Sequence, residues 1–296
     1  MLRQDLGMPP PGDIRSCMEA LANTEPVMRE LLHYRFTEGS LAGQSFGNLF
    51  LAAMNGISGS FDEAVHRMGD VLAITGRVLP VTNQDVRLEA EFHDGSRILG
   101  ESKIFYAKKI NNSRIRKVRL VPERPAALPE SVRAIREADI VVIGPGSLYT
   151  SIIPNLLVDG IVEAIRESRA LKIYVCNVMT QEGETEGYTA SDHIRALFNH
   201  SCPGLFDLCL VNDAPIPPSV MRGYTREGAE PILCDRDACE ALGVEVITRP
   251  VSTVENGLVR HNPGHLAWEL VRLHAQRNIR LVEDSLRRTP RNRVEK

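Results

Sequence analysis

Residues 138–155 read ADIVVIGPGSLYTSIIPN, and no other stretch restricts the fold as much. Residues 140–143 are a continuous apolar, β-branched run, which reads as a strand buried on both faces of a parallel sheet. Gly144-Pro145-Gly146-Ser147 then makes a tight turn where a ligand can approach the backbone closely. Ser147, Tyr149, Thr150 and Ser151 add four hydroxyls before Pro154 opens a helix-like run to residue 168. Strand, glycine turn and helix start together aim free N–H groups at an anion, usually phosphate. A GPG turn alone is as well an ordinary strand-to-helix connection; the clustered hydroxyls favour a phosphate or carboxylate site. No Lys follows, so this is no Walker A loop, and Tyr149 stands where a dinucleotide fingerprint needs its third glycine.

The remainder alternates in the same sense. Helices are expected over 13–22, 25–34, 50–55 and 61–72, the last with Ala64, Val65, Met68, Val71 and Leu72 on one face. Gly43, Gly47 and Asn48 before the third of these make a second, weaker backbone cradle, or a place where helices pack closely. Residues 77–121 switch to period two, with Asp94-Gly95 as a hairpin signal, and predict an antiparallel flap inserted into an α/β fold. The basic run from Lys108 to Arg119 reads as a solvated strand edge. Strands over 171–178, 206–211, 231–234 and 244–247, with helices over 191–199 and 262–275, predict a mostly parallel sheet covered on both faces. The chain therefore reads as one α/β domain over 1–275, and 276–296 as a basic tail continuing a frayed helix.

In an open α/β sheet, ligands bind outside the carboxyl ends of the strands. Three such ends are polar here: 144–151, 176–185 and 212–215. Asn177, Thr180 and Thr185 serve equally as turn caps or ligand contacts, and Asp213 as an Asx turn or a metal or ribose contact. No nucleophile elbow occurs. His193 and His200 fit a helix surface or a satisfied core position, and Pro263-Gly264 between His261 and His265 argues against a zinc pair. Any chemistry would be electrostatic, from amides, hydroxyls and Arg around a phosphate. A net charge of −3 gives no global signal for nucleic acid. No apolar run reaches about 18 residues, so no membrane span is expected. Six cysteines without a C-x-x-C pair read as reduced thiols in a cytoplasmic protein, and no metal site is expected.

PPPGDIRSCMEALA, LAGQSFGNLFLAA, GPGSLYTSIIPNLL, VCNVMTQEGETEGYTASDH and VNDAPIPP, in that order, resemble the YvcK family of gluconeogenesis factors, related to 2-phospho-L-lactate transferase (CofD). The resemblance spans about 6–273. It implies a Rossmann-like three-layer α/β/α fold that binds a nucleotide, with UDP-N-acetylglucosamine or NAD as ligand. It also implies a cytoplasmic regulator of cell shape and of carbon and cell-wall metabolism, forming a homo-oligomer. The alternative it carries is a CofD-like transfer of a phospholactyl group from a nucleotide donor to a deazaflavin, assisted by magnesium. The matching positions are Gly12, Asp13 and Arg15; Gly47 and Asn48; Gly144, Gly146, Ser147, Tyr149, Thr150 and Ser151; and Asn177. Tyr224 and Arg260 match positions that hold the sugar nucleotide, by stacking on a ring and pairing with a diphosphate. Three departures stand out. The family's opening strand with its GGGTG loop and DDGGS segment has no counterpart here, which predicts an unpaired strand edge. Gln44 replaces the usual His, and Glu182 the usual Pro.

Overall fold

The structure, a computed structural model, describes residues 11–101, 103, 104, 106, 107 and 113–288. Four helices come first: α1 (Gly12–Leu21), α2 (Pro26–His33), α3 (Phe46–Gly56) and α4 (Phe61–Val71). The Ser45 and Ser60 hydroxyls cap α3 and α4 by accepting the N–H groups of Asn48 and Glu63. The four helices close on an apolar cluster of their own, centred on Met18, Leu32, Leu51, Val65 and Met68.

The flap follows as an antiparallel sheet of β1 (Arg87–Phe92), β2 (Arg97–Leu99) and β3 (Ile115–Val121), in the order β2-β1-β3. Leu88, Ala90 and Phe92 turn inward, as the period-two pattern requires. Asp94-Gly95 is the turn between β1 and β2, held by the Ser96 N–H and hydroxyl on Asp94 Oδ1 at 2.9 and 2.6 Å. Residues 77–81 are not a strand. Pro80 has no N–H for a ladder, and the Pro80 and Val81 carbonyls accept from Ser131 Oγ and Leu128 N instead. Within the basic run, Arg116 pairs with Glu91 and Arg119 with Glu89 on the exposed side of the sheet. Lys108 and Lys109 lie outside the described residues.

Next come α5 (Pro129–Glu137), β4 (Ile140–Ile143), α6 (Ile153–Leu156), α7 (Ile161–Glu167), β5 (Leu171–Val175), α8 (Ala190–His200) and β6 (Leu208–Asn212). The chain continues through α9 (Pro218–Arg226), α10 (Arg236–Glu240), β7 (Glu245–Arg249), β8 (Ser252–Glu255), β9 (Leu258–His261) and α11 (Pro263–Arg288). Four strands form a parallel sheet in the order β4-β5-β6-β7, with helices on both faces. β5 explains the layering: Leu171, Ile173 and Val175 enter one apolar cluster with Val251 and Leu273, while Tyr174 and Cys176 enter the other with Phe198 and Phe206. The expected three-layer α/β/α arrangement is therefore present.

Three expectations need correction. Among the described residues β4 has a strand neighbour on one side only, and Val142 is 39% exposed. The expectation of a strand buried on both faces is corrected at that position. Residues 231–234 make only isolated bridges, Pro231 with Met179 and Leu233 with Thr189. β8 and β9 form an unforeseen hairpin about Asn256-Gly257, both at positive φ. The basic tail continues α11 as far as Arg288, and 289–296 lie outside the described residues.

Candidate functional site

The carboxyl ends of β4 and β5 open onto a crevice of about 840 Å³. Pro145, Gly146 and Ser147 line it from β4, and 177–182 from β5. Its third wall is built by Tyr224, Glu227 and Ala229, from the end of α9 and the turn after it, together with Val259, Arg260 and His261 of β9.

The turn after β4 needs its first glycine. Gly144 has φ +80°, and a Cβ there would stand 3.0 Å from the Val175 carbonyl oxygen. The Gly146 N–H points at Asn177 Oδ1, 3.5 Å away, and the Ser147 hydroxyl donates to Gln181 Oε1 at 2.9 Å. Among the described residues the N–H group of Ser147 meets no acceptor, so the turn keeps one free donor at a residue that lines the crevice, while Leu148 behind it is fully buried.

The four hydroxyls do not act together. Tyr149 is 3% exposed and shares a hydrogen bond of 2.8 Å with the Tyr188 hydroxyl. Burial raises its phenol well above the ordinary range, with Tyr188 adding to the shift. Thr150 donates to Glu184 Oε1 at 2.9 Å, and Oε2 of the same carboxylate accepts the Tyr149 N–H at 3.3 Å. Glu184, only 5% exposed, thus supplies an internal anion to the start of the helical segment. Ser151 faces a different groove, of about 610 Å³ along β4, which it shares with Asp13 on α1. Only Ser147 of the four lines the crevice.

Gly12 and Asp13 are likewise across the turn from the crevice. Arg15 pairs with Glu19 and packs over Gly47, where a Cβ would come within 2.7 Å of Arg15 Cδ and 2.9 Å of the Leu32 carbonyl. Gly47 is therefore glycine because helices approach closely there, and Asn48 follows it inside the helical cluster. Thr180 and Thr185 act as turn caps, their hydroxyl oxygens accepting the N–H groups of Glu230 and Gln181. Asp213 is exposed and outside the crevice lining.

The far wall is a tied assembly. Tyr224 Oη accepts the Val259 N–H at 2.8 Å, which fixes α9 to the hairpin, and Tyr224 still lines the crevice. Arg260 donates to its neighbour's carbonyl at 3.1 Å and remains exposed. His261 Nε2 lies 3.2 Å from the Cys176 carbonyl, tying the hairpin to the end of β5. Burial lowers the basicity of this ring, against the opposing effect of that hydrogen bond. Gln181, Glu184 and His261 were not singled out as site residues from the sequence. The Asn256-Gly257 dipeptide signals the hairpin that carries His261, whereas Glu184 has no motif at all.

Cys176, Cys209 and Cys239 are buried free thiols. Burial foremost pushes Cys239 up to about 12, so it is protonated at neutral pH. Among the described residues no three His, Cys, Asp or Glu side chains are grouped to hold a metal ion, and no helix is long and apolar enough to cross a membrane.

Known proteins match over most of the chain. The family model described as 2-phospho-L-lactate transferase CofD matches residues 1–252. The gluconeogenesis factor of Bacillus subtilis is 47% identical over 273 residues, covering 92% of this chain and 85% of that protein. A longer relative from Clostridium acetobutylicum is 47% identical over 270 residues, which is 91% of this chain and 60% of the relative. A crystal structure of a Bacillus halodurans protein superposes with a TM-score of 0.87 at 44% identity, covering 91% of this chain and 86% of the other.

Proposed function

The chain belongs to the CofD family, alongside the gluconeogenesis factors, and on that premise we propose that it is a cytoplasmic nucleotide-sugar-binding regulator of carbon and cell-wall metabolism and of cell shape. The ligand class is a diphosphate-linked sugar such as UDP-N-acetylglucosamine, with NAD as the second candidate. One observation carries the reading. The free turn amide of Ser147 stands on one side of a crevice whose opposite wall offers Arg260 and the Tyr224 ring. An amide and a guanidinium provide only donors, which suits phosphate oxygens, and an aromatic face suits a base or sugar ring. Within the crevice, Gly146, Ser147, Asn177, Tyr224 and Arg260 are the proposed contacts. Gly144 shapes the turn rather than touching ligand.

Isothermal titration of the full chain with UDP-N-acetylglucosamine, and separately with NAD, tests this. The expected result is saturable heat with one of them. Arg260→Ala should weaken binding roughly 10- to 100-fold, the loss of one charge-assisted contact worth about 1.5–3 kcal/mol. No heat at millimolar ligand overturns the reading. The family model's own description favours a second reading, phospholactyl transfer. Product formed from a deazaflavin and a nucleotide-activated lactate with magnesium would assign it.

A further inference from the structure

We infer that His261 is a specificity-determining residue of the crevice, accepting a hydrogen bond from a hydroxyl on the sugar of a phosphate-linked ligand. The inference rests on the nucleotide-sugar reading above. The ring's position is set by its strand. Val259, two residues earlier, is buried and held by Tyr224 Oη, and His261 itself is paired with Ser252 across the hairpin.

The ring's tautomer follows from its one partner. A backbone carbonyl only accepts, so the nitrogen facing Cys176, Nε2, carries the proton. Burial favours the neutral imidazole. Nδ1 is then a lone-pair acceptor, and no described group hydrogen-bonds to it, although the residue lines the crevice. The surrounding groups divide the ligand between them. Arg260 and the Ser147 amide offer donors, which phosphate oxygens satisfy. A phosphate oxygen beside Nδ1 would set two acceptors face to face. A hydroxyl on the sugar beyond the diphosphate has the donor that Nδ1 lacks, so the ring favours diphosphate-linked sugars over bare nucleotide diphosphates, which end there in phosphate oxygens. A site built to hydrogen-bond a hydroxyl discriminates against a ligand lacking it more sharply than an apolar pocket does.

The test compares UDP-N-acetylglucosamine with uridine diphosphate by titration calorimetry, on the full chain and two variants. His261→Phe keeps a ring and deletes both nitrogens. His261→Gln retains a donor for the Cys176 carbonyl and adds an acceptor oxygen. His261→Phe should lose five- to tenfold more affinity for the sugar nucleotide than for uridine diphosphate, and His261→Gln should recover part of that difference. A merely structural tie would weaken both ligands alike, and equal losses overturn the inference while leaving the crevice reading intact. Should the Phe variant fail to fold, His261→Leu takes its place: a loss falling more heavily on the sugar nucleotide than on uridine diphosphate supports the inference, and an unchanged ratio of the two affinities overturns it. Failure of the unmodified chain to bind either ligand removes the crevice reading itself.

Discussion

Glu184 does for the turn after β4 what an anionic ligand would otherwise do. Its two oxygens take the Tyr149 N–H and the Thr150 hydroxyl in a setting with almost no water. Removing that acceptor leaves a buried amide and a half-buried hydroxyl unpaired, and a fully buried group of this kind costs about 1–3 kcal/mol. Glu184→Ala should therefore lower stability by about 2–4 kcal/mol, read as a fall in the urea midpoint with little change in slope. Glu184→Gln keeps one carbonyl acceptor and should lose clearly less. Gly144 is a second single-residue test. An alanine there meets both the positive φ and the Val175 carbonyl, so Gly144→Ala should cost about 1–3 kcal/mol in the same assay. An alanine variant as stable as the parent would mean that the turn is not held as described.

Helix α8 shows how one element holds two histidines in their neutral form. Its start is a capping box of Thr189 and Asp192, which sets the register that turns His193 and His200 inward. His200 Nδ1 donates to the Ala196 carbonyl at 2.7 Å, while Nε2 accepts the Val118 N–H of β3 at 3.1 Å. Protonation would face that N–H with another. Burial lowers the basicity of both rings, with the Lys117 charge adding to it at His200. A lowered folded-state value means that the unfolded chain binds more protons, so stability rises with pH. It should be complete above the ordinary histidine range near 6.5 and decline as pH falls through and below that value. Urea midpoints at pH 7.5 and 5.5 check this: the lower pH should give the lower midpoint, and His200→Gln should flatten the difference. The same element explains what the sequence could and could not disclose. Strand β4, the glycine turn and the helix start are local features with local signals, so they were legible. Whether Tyr149 and Thr150 face ligand or core depends on Glu184, which lies 34 residues further along the chain from Thr150. No periodicity carries that. The hairpin of β8 and β9 was overlooked although Asn256-Gly257 marks it, because its strands are only four residues long and largely polar.

On the scale of the whole molecule, the turn after β4 separates two openings of different character. On one side lies the crevice with the free Ser147 amide and Arg260; on the other lies the groove along β4, lined by Val141, Val142, Ile161 and Ile165. The two openings also make the ligand's location measurable. A ligand that binds only the folded state at 100 times its Kd adds about 2.7 kcal/mol of stability. That stability is concentrated where contacts form, because amide exchange reports local opening. UDP-N-acetylglucosamine should slow exchange at 146–147, 177–182 and 259–261, the segments that converge on the crevice. Helices α1 to α4, built on their own apolar cluster, should exchange at an unchanged rate. Protection centred instead on Asp13, Ser151 and β4 would move the binding site to the other side of the turn, and the roles assigned to Arg260 and Tyr224 would fall with it.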